Sequence, residues 1–162
     1  MTERSRTYTW DDPLDFLERV APLSGLEAMQ RMVAGELPQA PIGRTLGFAL
    51  VEVEHGRAVF EAEPAEYHYN PIGTVHAGLA STLLDSAMGC ALLTTLPPAT
   101  RWTTLELKAH FTRAMTAETG TVRCTGTIVH PGRRVVTTEA RLEDRDGRLI
   151  AHGTSTILML DA

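Results

Sequence analysis

The sequence predicts an α+β fold, an antiparallel sheet with one long helix laid on one of its faces. Three observations carry this. A single apolar stretch of helical length, from about Ala77 or Gly78 to Thr94, interrupts a chain otherwise rich in strand signals. A hairpin pattern precedes it, Phe48 to Glu54 and Arg57 to Glu63 on either side of His55-Gly56. Long strand patterns joined by short turns follow it. A helix this apolar must be buried, and a sheet face can bury it.

Residues 1–42 read as an N-terminal helical extension and residues 43–162 as the main domain. Pro13 to Val20 and Gly25 to Ala34 have helical spacing, with Leu26, Met29, Met32 and Val33 lining one face of the second. Ser24 is a fair N-cap and Gly35 a fair stop; Pro38 and Pro41 then break the chain. After the hairpin comes the apolar helix, ended by Pro97-Pro98. It is apolar nearly all round, so a second subunit is a natural cover for what the sheet leaves open. Thr104 to Phe111 alternates: Leu105, Leu107, Ala109 and Phe111 on one side, Thr104, Glu106, Lys108 and His110 on the other. Thr119 to His130, Arg133 to Glu143 and Arg148 to Leu160 complete a four-strand meander. Pro131-Gly132 and Asp144-Arg145-Asp146-Gly147 supply its turns.

Composition removes several function classes. The chain has 162 residues, 43% hydrophobic and 22% charged, with a formal net charge of −5 and no basic block. Nucleic acid is therefore not the expected partner. No apolar run reaches the roughly 18 residues that span a membrane, and no apolar signal core follows Met1. Cys90 and Cys124 lack metal spacing and read as core thiols in a reducing compartment, so the expected location is cytoplasmic. His68, His110, His130 and His152 share no ligand spacing, so no metal is expected.

Asp85 is the residue that points to chemistry. From Tyr67 to Thr100 it is the only formally charged residue, set among Leu83, Leu84, Ala87, Met88, Ala91 and Leu92. Burying an ionised carboxylate costs several kcal/mol unless something pairs with it, so a carboxylate placed there has a purpose to find. His76 lies nine residues upstream, in a small-residue turn that opens the helix. A helix N-terminus presents free N–H groups that can polarise a carbonyl. Gly78, Ser81, Thr82, Asp85, Met88 and Gly89 fall on one helical face, small enough for a ligand or another backbone to approach. Ala77 and Asp85 are two turns apart, so the carboxylate of one subunit facing the helix start of another is the more natural arrangement.

The stretch Asn70-Pro71-Ile72-Gly73-Thr74-Val75-His76-Ala77-Gly78, followed by Leu83-Leu84-Asp85-Ser86-Ala87, resembles the signature of hotdog-fold acyl-CoA thioesterases of the phenylacetate-pathway (PaaI-like) type. In that family a His-Gly-Gly-type turn opens the central helix, and an acidic residue follows nine positions after the histidine. The resemblance covers about Gly43 to Leu160 and implies the hotdog fold, a sheet wrapped around one long central helix. It implies Asp85 as nucleophile or general base and Asn70 as the residue that orients water or contacts the thioester. It further implies the Ala77 N–H as the carbonyl polariser, His76 as the shaper of that turn, and Thr103 as the hydroxyl that holds the water. Thr104 is the neighbouring candidate and, with Gly78, a substrate contact. Ala77 stands where many relatives have glycine, although only its N–H is needed.

The implied substrate is a medium-chain or aromatic acyl-CoA, with coenzyme A part of the substrate and no separate cofactor. Arg113, Arg133 and Arg134, at strand ends or turns, are candidates for its phosphates. The implied assembly is a homodimer or homotetramer. Two other readings stay open: a non-catalytic acyl-CoA-binding protein, and an enoyl-CoA hydratase. The hydratase reading is weak, because the acid that such enzymes carry before an Asn-Pro segment is replaced by Tyr67, His68 and Tyr69.

Overall fold

The computed structural model describes residues 2–160; Met1, Asp161 and Ala162, at the ends of the two expected regions, lie outside the described residues. In chain order the elements are α1 (Pro13–Val20), α2 (Gly25–Val33), α3 (Pro41–Leu46), β1 (Phe48–Glu54), β2 (Arg57–Ala62), a 3-10 turn (Glu66–His68), α4 (Ala77–Leu93), β3 (Trp102–Phe111), β4 (Val122–His130), β5 (Val135–Asp144) and β6 (Leu149–Met159). The strands form one antiparallel sheet in the order β1-β2-β4-β5-β6-β3.

Two expectations are corrected here. The strands after α4 are not a simple meander: β4, β5 and β6 follow one another, but β3 joins the far edge beside β6. The chain leaves β2, crosses the sheet as α4 and returns as β3 on the other side, and β4 then fills the place beside β2. The second correction concerns Pro41. It starts a helix, occupying the first turn of α3, where its missing N–H has no intrahelical partner to lose.

The core lies between α4 and the sheet. Leu83, Leu84, Ala87, Met88 and Ala91 are fully enclosed, against Val122, Cys124, Leu142 and Ile150 of the strands. Met88 thus belongs to the core and not to the polar face of the helix. Gly126 on β4 lies directly beneath the backbone of Ala87, and a Cβ there would collide with it. The absence of a side chain is what lets the helix settle on the strand. At the other end of α4, the N–H of Gly25 donates to the Leu96 carbonyl at 3.0 Å, tying α2 to the end of the central helix.

The alternation expected for β3 breaks at its middle. The β3–β6 register slips between Thr104 and Glu106, leaving Leu105 as a bulged residue. Trp102 and Thr104 therefore share the helix-facing side with Leu107 and Ala109, and Leu105 is turned outward, 58% exposed. Among the described residues no helix is long and apolar enough to cross a membrane. Both cysteines are free. Burial pushes the Cys90 thiol up to about 12, with the Asp85 charge adding to it, and burial raises Cys124 as well. Neither thiol is poised to react.

Candidate active site

The site is built around the two ends of one helical stretch. At its start, Tyr69 and Val75 bridge to close a small loop. Asn70 holds this loop: its Oδ1 accepts from the N–H groups of Ile72 (3.0 Å) and Thr74 (3.4 Å), and its Nδ2 donates to Thr74 Oγ1 at 3.0 Å. Gly73 has φ +83°, which the tight return of the chain requires. The loop delivers His76 in extended backbone, as the N-cap of α4.

His76 decides which helix donors are left over. Its Nδ1 accepts the Gly78 N–H at 2.8 Å, and its carbonyl accepts the Leu79 N–H at 3.1 Å. With Nδ1 taken up as an acceptor, Nε2 is the ring nitrogen left facing away from the helix N–H groups. The Ala77 N–H makes no hydrogen bond within the described residues, and Ala77 borders a cleft of about 310 Å³ shared with Asn70, Phe111 and Arg113. A free N–H at the positive end of a seventeen-residue helix is a ready carbonyl polariser. Gly78 lies toward a second cleft, of about 390 Å³, with His76, His68 and Thr82. The Ser81 and Thr82 hydroxyls are spent on the helix itself, donating to the Ala77 and Gly78 carbonyls at 3.0 and 2.9 Å.

Two turns further on, Asp85 sits half-buried on α4 where the helix passes β3. Thr104 Oγ1 donates to its Oδ1 at 3.1 Å. Thr103, one residue earlier, is exposed on the opposite side of β3. Of the two threonines considered, Thr104 is thus the one brought to the carboxylate in this chain, because the bulge at Leu105 turns its side chain inward. Trp102, on the same side of β3, lays its indole over Gly89, one turn beyond Asp85; a Cβ at Gly89 would sit 2.7 Å from the ring. This contact belongs to the wall beside Asp85, and the sequence pattern alone does not show that Trp102 and Gly89 meet.

The rest of the expected set is not gathered in one place. Ala77 and Asp85 are eight residues apart, roughly 12 Å along the axis at 1.5 Å per residue. Arg113 lies just past the end of β3 at Phe111, by the helix start, whereas Arg133 and Arg134 precede β5, whose first residue pairs near Trp102, at the opposite end of β3. Within a protomer these arginines form no cluster. Among the described residues no three His, Cys, Asp or Glu side chains converge to hold a metal.

Comparison with known proteins decides the family. A family model described as a domain of unknown function (DUF4442) matches residues 28–159. Human acyl-coenzyme A thioesterase 13 is 32% identical over 116 residues, 70% of this chain and 81% of its own length. The chain belongs to the hotdog-fold thioesterase family. By that membership it is a thioester hydrolase. The 1,4-dihydroxy-2-naphthoyl-CoA hydrolase of Listeria monocytogenes is 27% identical over 113 residues, 70% of this chain and 90% of the relative. Among solved structures, a phenylacetic acid degradation-related protein of Ralstonia eutropha superimposes with a TM-score of 0.72 at 28% identity, covering 81% of this chain and 98% of the other. The phenylacetic acid degradation protein PaaI of Thermus thermophilus gives 0.67 at 28% identity, covering 75% and 100%. These hotdog thioesterases share the sheet and central helix; α1 precedes the family match.

Proposed function

We propose that this thioesterase hydrolyses a medium-chain or aromatic acyl-CoA to the free acid and coenzyme A, with Asp85 as the reacting carboxylate. The observation that carries this is the Asp85–Thr104 pair: one carboxylate on an otherwise uncharged helix, held by a hydroxyl from the facing strand. Hydrolysis of a thioester needs a polarised carbonyl and an activated oxygen nucleophile. The Ala77 N–H supplies the first. Asp85 supplies the second, as base or as nucleophile.

On the water route, Asp85 takes a proton as water oxygen bonds to the carbonyl carbon, and the Ala77 N–H holds the oxyanion. The carbon–sulfur bond then breaks, and the leaving thiolate takes the water-derived proton from Asp85, which returns to its carboxylate form. On the direct route an Asp85 oxygen attacks and water opens the resulting anhydride; a single turnover in heavy-oxygen water labels Asp85 only then. The roughly 12 Å between Ala77 and Asp85 favours a site assembled from two copies, the helix start of one facing the carboxylate of the other. Arg113, beside the Ala77 cleft, is the best placed of the arginines for the phosphates of coenzyme A.

Thiol release across short, long, branched and aryl acyl-CoAs, with Asp85→Asn alongside, tests the reading. The expected result is turnover that falls by orders of magnitude in the variant while its unfolding midpoint is kept. A wild type that releases no thiol yet binds acyl-CoA would replace it with a binding role. A monomer in sedimentation at micromolar concentration would rule out the shared site.

A further inference from the structure

We propose that Trp102 ends the acyl site, its indole stopping the acyl group one helical turn beyond Asp85. The substrate is then a compact acyl thioester, a short chain or an aryl ring, and not one with an extended tail. This rests on the hydrolase reading above and chooses between its two substrate classes. Asp85 and Thr104 meet where α4 passes β3. From that contact the two elements continue side by side: four residues on along the helix is Gly89, and two residues back along the strand is Trp102. The steps match, about 6 Å for the helix at 1.5 Å per residue and about 6.6 Å for the strand at 3.3 Å per residue. The indole accordingly lies on Gly89, so close that a Cβ there would sit 2.7 Å from one ring carbon and 3.1 Å from the next. The missing side chain is what admits the ring.

The ring is held from behind. It packs on Leu92, Val136 and Ile157, which come from α4, β5 and β6, so three elements fix its position. The direction of the acyl group follows from the rest of the site. A carbonyl oxygen at the Ala77 N–H of one copy puts coenzyme A toward Arg113, beside the same cleft, and leaves the acyl group against Asp85 of the other copy. On the face of α4 that carries Asp85, the side toward the helix start offers Ser81 and Thr82, and the side toward the helix end offers Gly89 and the indole. An apolar group gains burial against the aromatic ring and little among hydroxyls. It therefore runs toward Trp102, with about one turn of helix between carboxylate and ring. A butyryl chain or a benzoyl ring ends within that length, whereas an octanoyl tail meets the indole.

The test compares kcat/KM for butyryl-CoA, benzoyl-CoA and octanoyl-CoA in wild type, Trp102→Ala, Trp102→Leu and Ile128→Ala, with the unfolding midpoint of each. The wild type is expected to prefer butyryl-CoA and benzoyl-CoA to octanoyl-CoA. The octanoyl-to-butyryl ratio is expected to rise about tenfold or more in Trp102→Ala, since room for even one methylene changes discrimination by about that factor. The rise in Trp102→Leu is smaller. Ile128 packs on the same cluster from β4, so Ile128→Ala loosens the packing behind the ring but leaves the ring in place, and the ratio stays that of wild type. Should Trp102→Ala fail to fold, Trp102→Leu, which keeps an apolar side chain in the cluster, carries the readout. An unchanged ratio in a folded, active Trp102 variant overturns the stop and leaves the hydrolase reading standing. So does an equal rise in Ile128→Ala, or a wild type that takes octanoyl-CoA as readily as butyryl-CoA. A wild type that hydrolyses no thioester overturns the hydrolase reading, and the stop with it.

Discussion

Thr104 reaches Asp85 because Leu105 does not take its place in the ladder. The bulge at Leu105 reverses the parity of β3, so the hydroxyl of Thr104 points at the central helix and donates to the carboxylate at 3.1 Å. A hydrogen bond to a charged group contributes about 1.5–3 kcal/mol, which corresponds to roughly ten- to a hundredfold in rate if it is kept in the transition state. Thr104→Val is therefore expected to lower kcat by that factor. Thr103→Val, on the outward side, is expected to change it by less than about twofold. Equal losses in a thiol-release assay would place the hydroxyl's role elsewhere.

The helix start allows a cleaner deletion. Ala77 is the first residue of α4, and His76 before it has φ −62° and ψ 135°. Proline is favoured at the first helical position, and the residue before it prefers this extended backbone. Ala77→Pro thus removes one N–H and little else. Loss of a single oxyanion donor costs about 10²–10³ in kcat, and the denaturation midpoint is expected to stay within experimental error of wild type. Full activity in a folded Ala77→Pro protein would end the case for this N–H.

His76 separates structure from chemistry in the same way. Its Nδ1 caps the helix through the Gly78 N–H, and loss of a cap costs about 0.5–2 kcal/mol. His76→Ala is expected to lose that stability in urea titration, and turnover with it. His76→Asn, whose side-chain oxygen can accept the same bond, is expected to recover most of both. Recovery of stability without turnover would mean that Nε2 acts on the substrate itself.

What was legible in the sequence was whatever depends on local pattern. The apolar run of α4, the hairpin turn at His55-Gly56 and the turns around β5 all placed their elements within a few residues, because periodicity and turn chemistry are local. Asp85 stood out because a lone charge in an apolar helix needs a reason. The position of β3 beside β6 was not legible, since strand order depends on pairings far apart in the chain. Nor was the bulge: Thr104 to Phe111 reads as a regular alternation, and only the register against β6 shows that Leu105 is extra. That single residue decides which threonine meets Asp85. The arginines show the same limit, for turn residues carry no mark of which end of the sheet they will occupy.

His68 gives the fold a pH dependence. Its Nδ1 accepts the Ala65 N–H at 3.0 Å, and its Nε2 lies 2.7 Å from the Leu46 carbonyl, so the neutral ring with the proton on Nε2 satisfies both. Burial holds its pKa below the ordinary 6.5, and the nearby Arg6 charge works in the same direction. In the unfolded chain the ring takes its proton near 6.5, and in the folded chain only at lower pH. The unfolded state then binds more protons in that window, so stability is full above about pH 6.5 and falls as pH drops toward the folded value. His68→Gln is expected to be less stable at pH 8 but to show a shallower decline between about pH 7 and 5 in denaturant titrations. An identical decline in both proteins would assign the effect to other groups.

The contact between Gly126 and Ala87 fixes the height of the central helix above the sheet, and with it the reach from Thr104 to Asp85. A Cβ at residue 126 meets the backbone carbonyl of Ala87 and the nitrogen of Met88, which are not free ends of flexible side chains. Relief requires the whole of α4 to rise from β4 or β4 to bow away. Overpacking of this kind costs about 1–3 kcal/mol when side chains can give, and more when only backbone can. Gly126→Ala is therefore expected to lower the unfolding midpoint strongly and, in whatever folded fraction remains, to lower kcat, because a lifted helix carries Asp85 away from Thr104. Gly120, whose Cβ would meet nothing within 4 Å, provides the contrast. Its φ of +73° makes Gly120→Ala a local backbone strain of about 1 kcal/mol, with kcat unaffected. If the two variants lose stability and kcat alike, the height of the helix is not what sets the site.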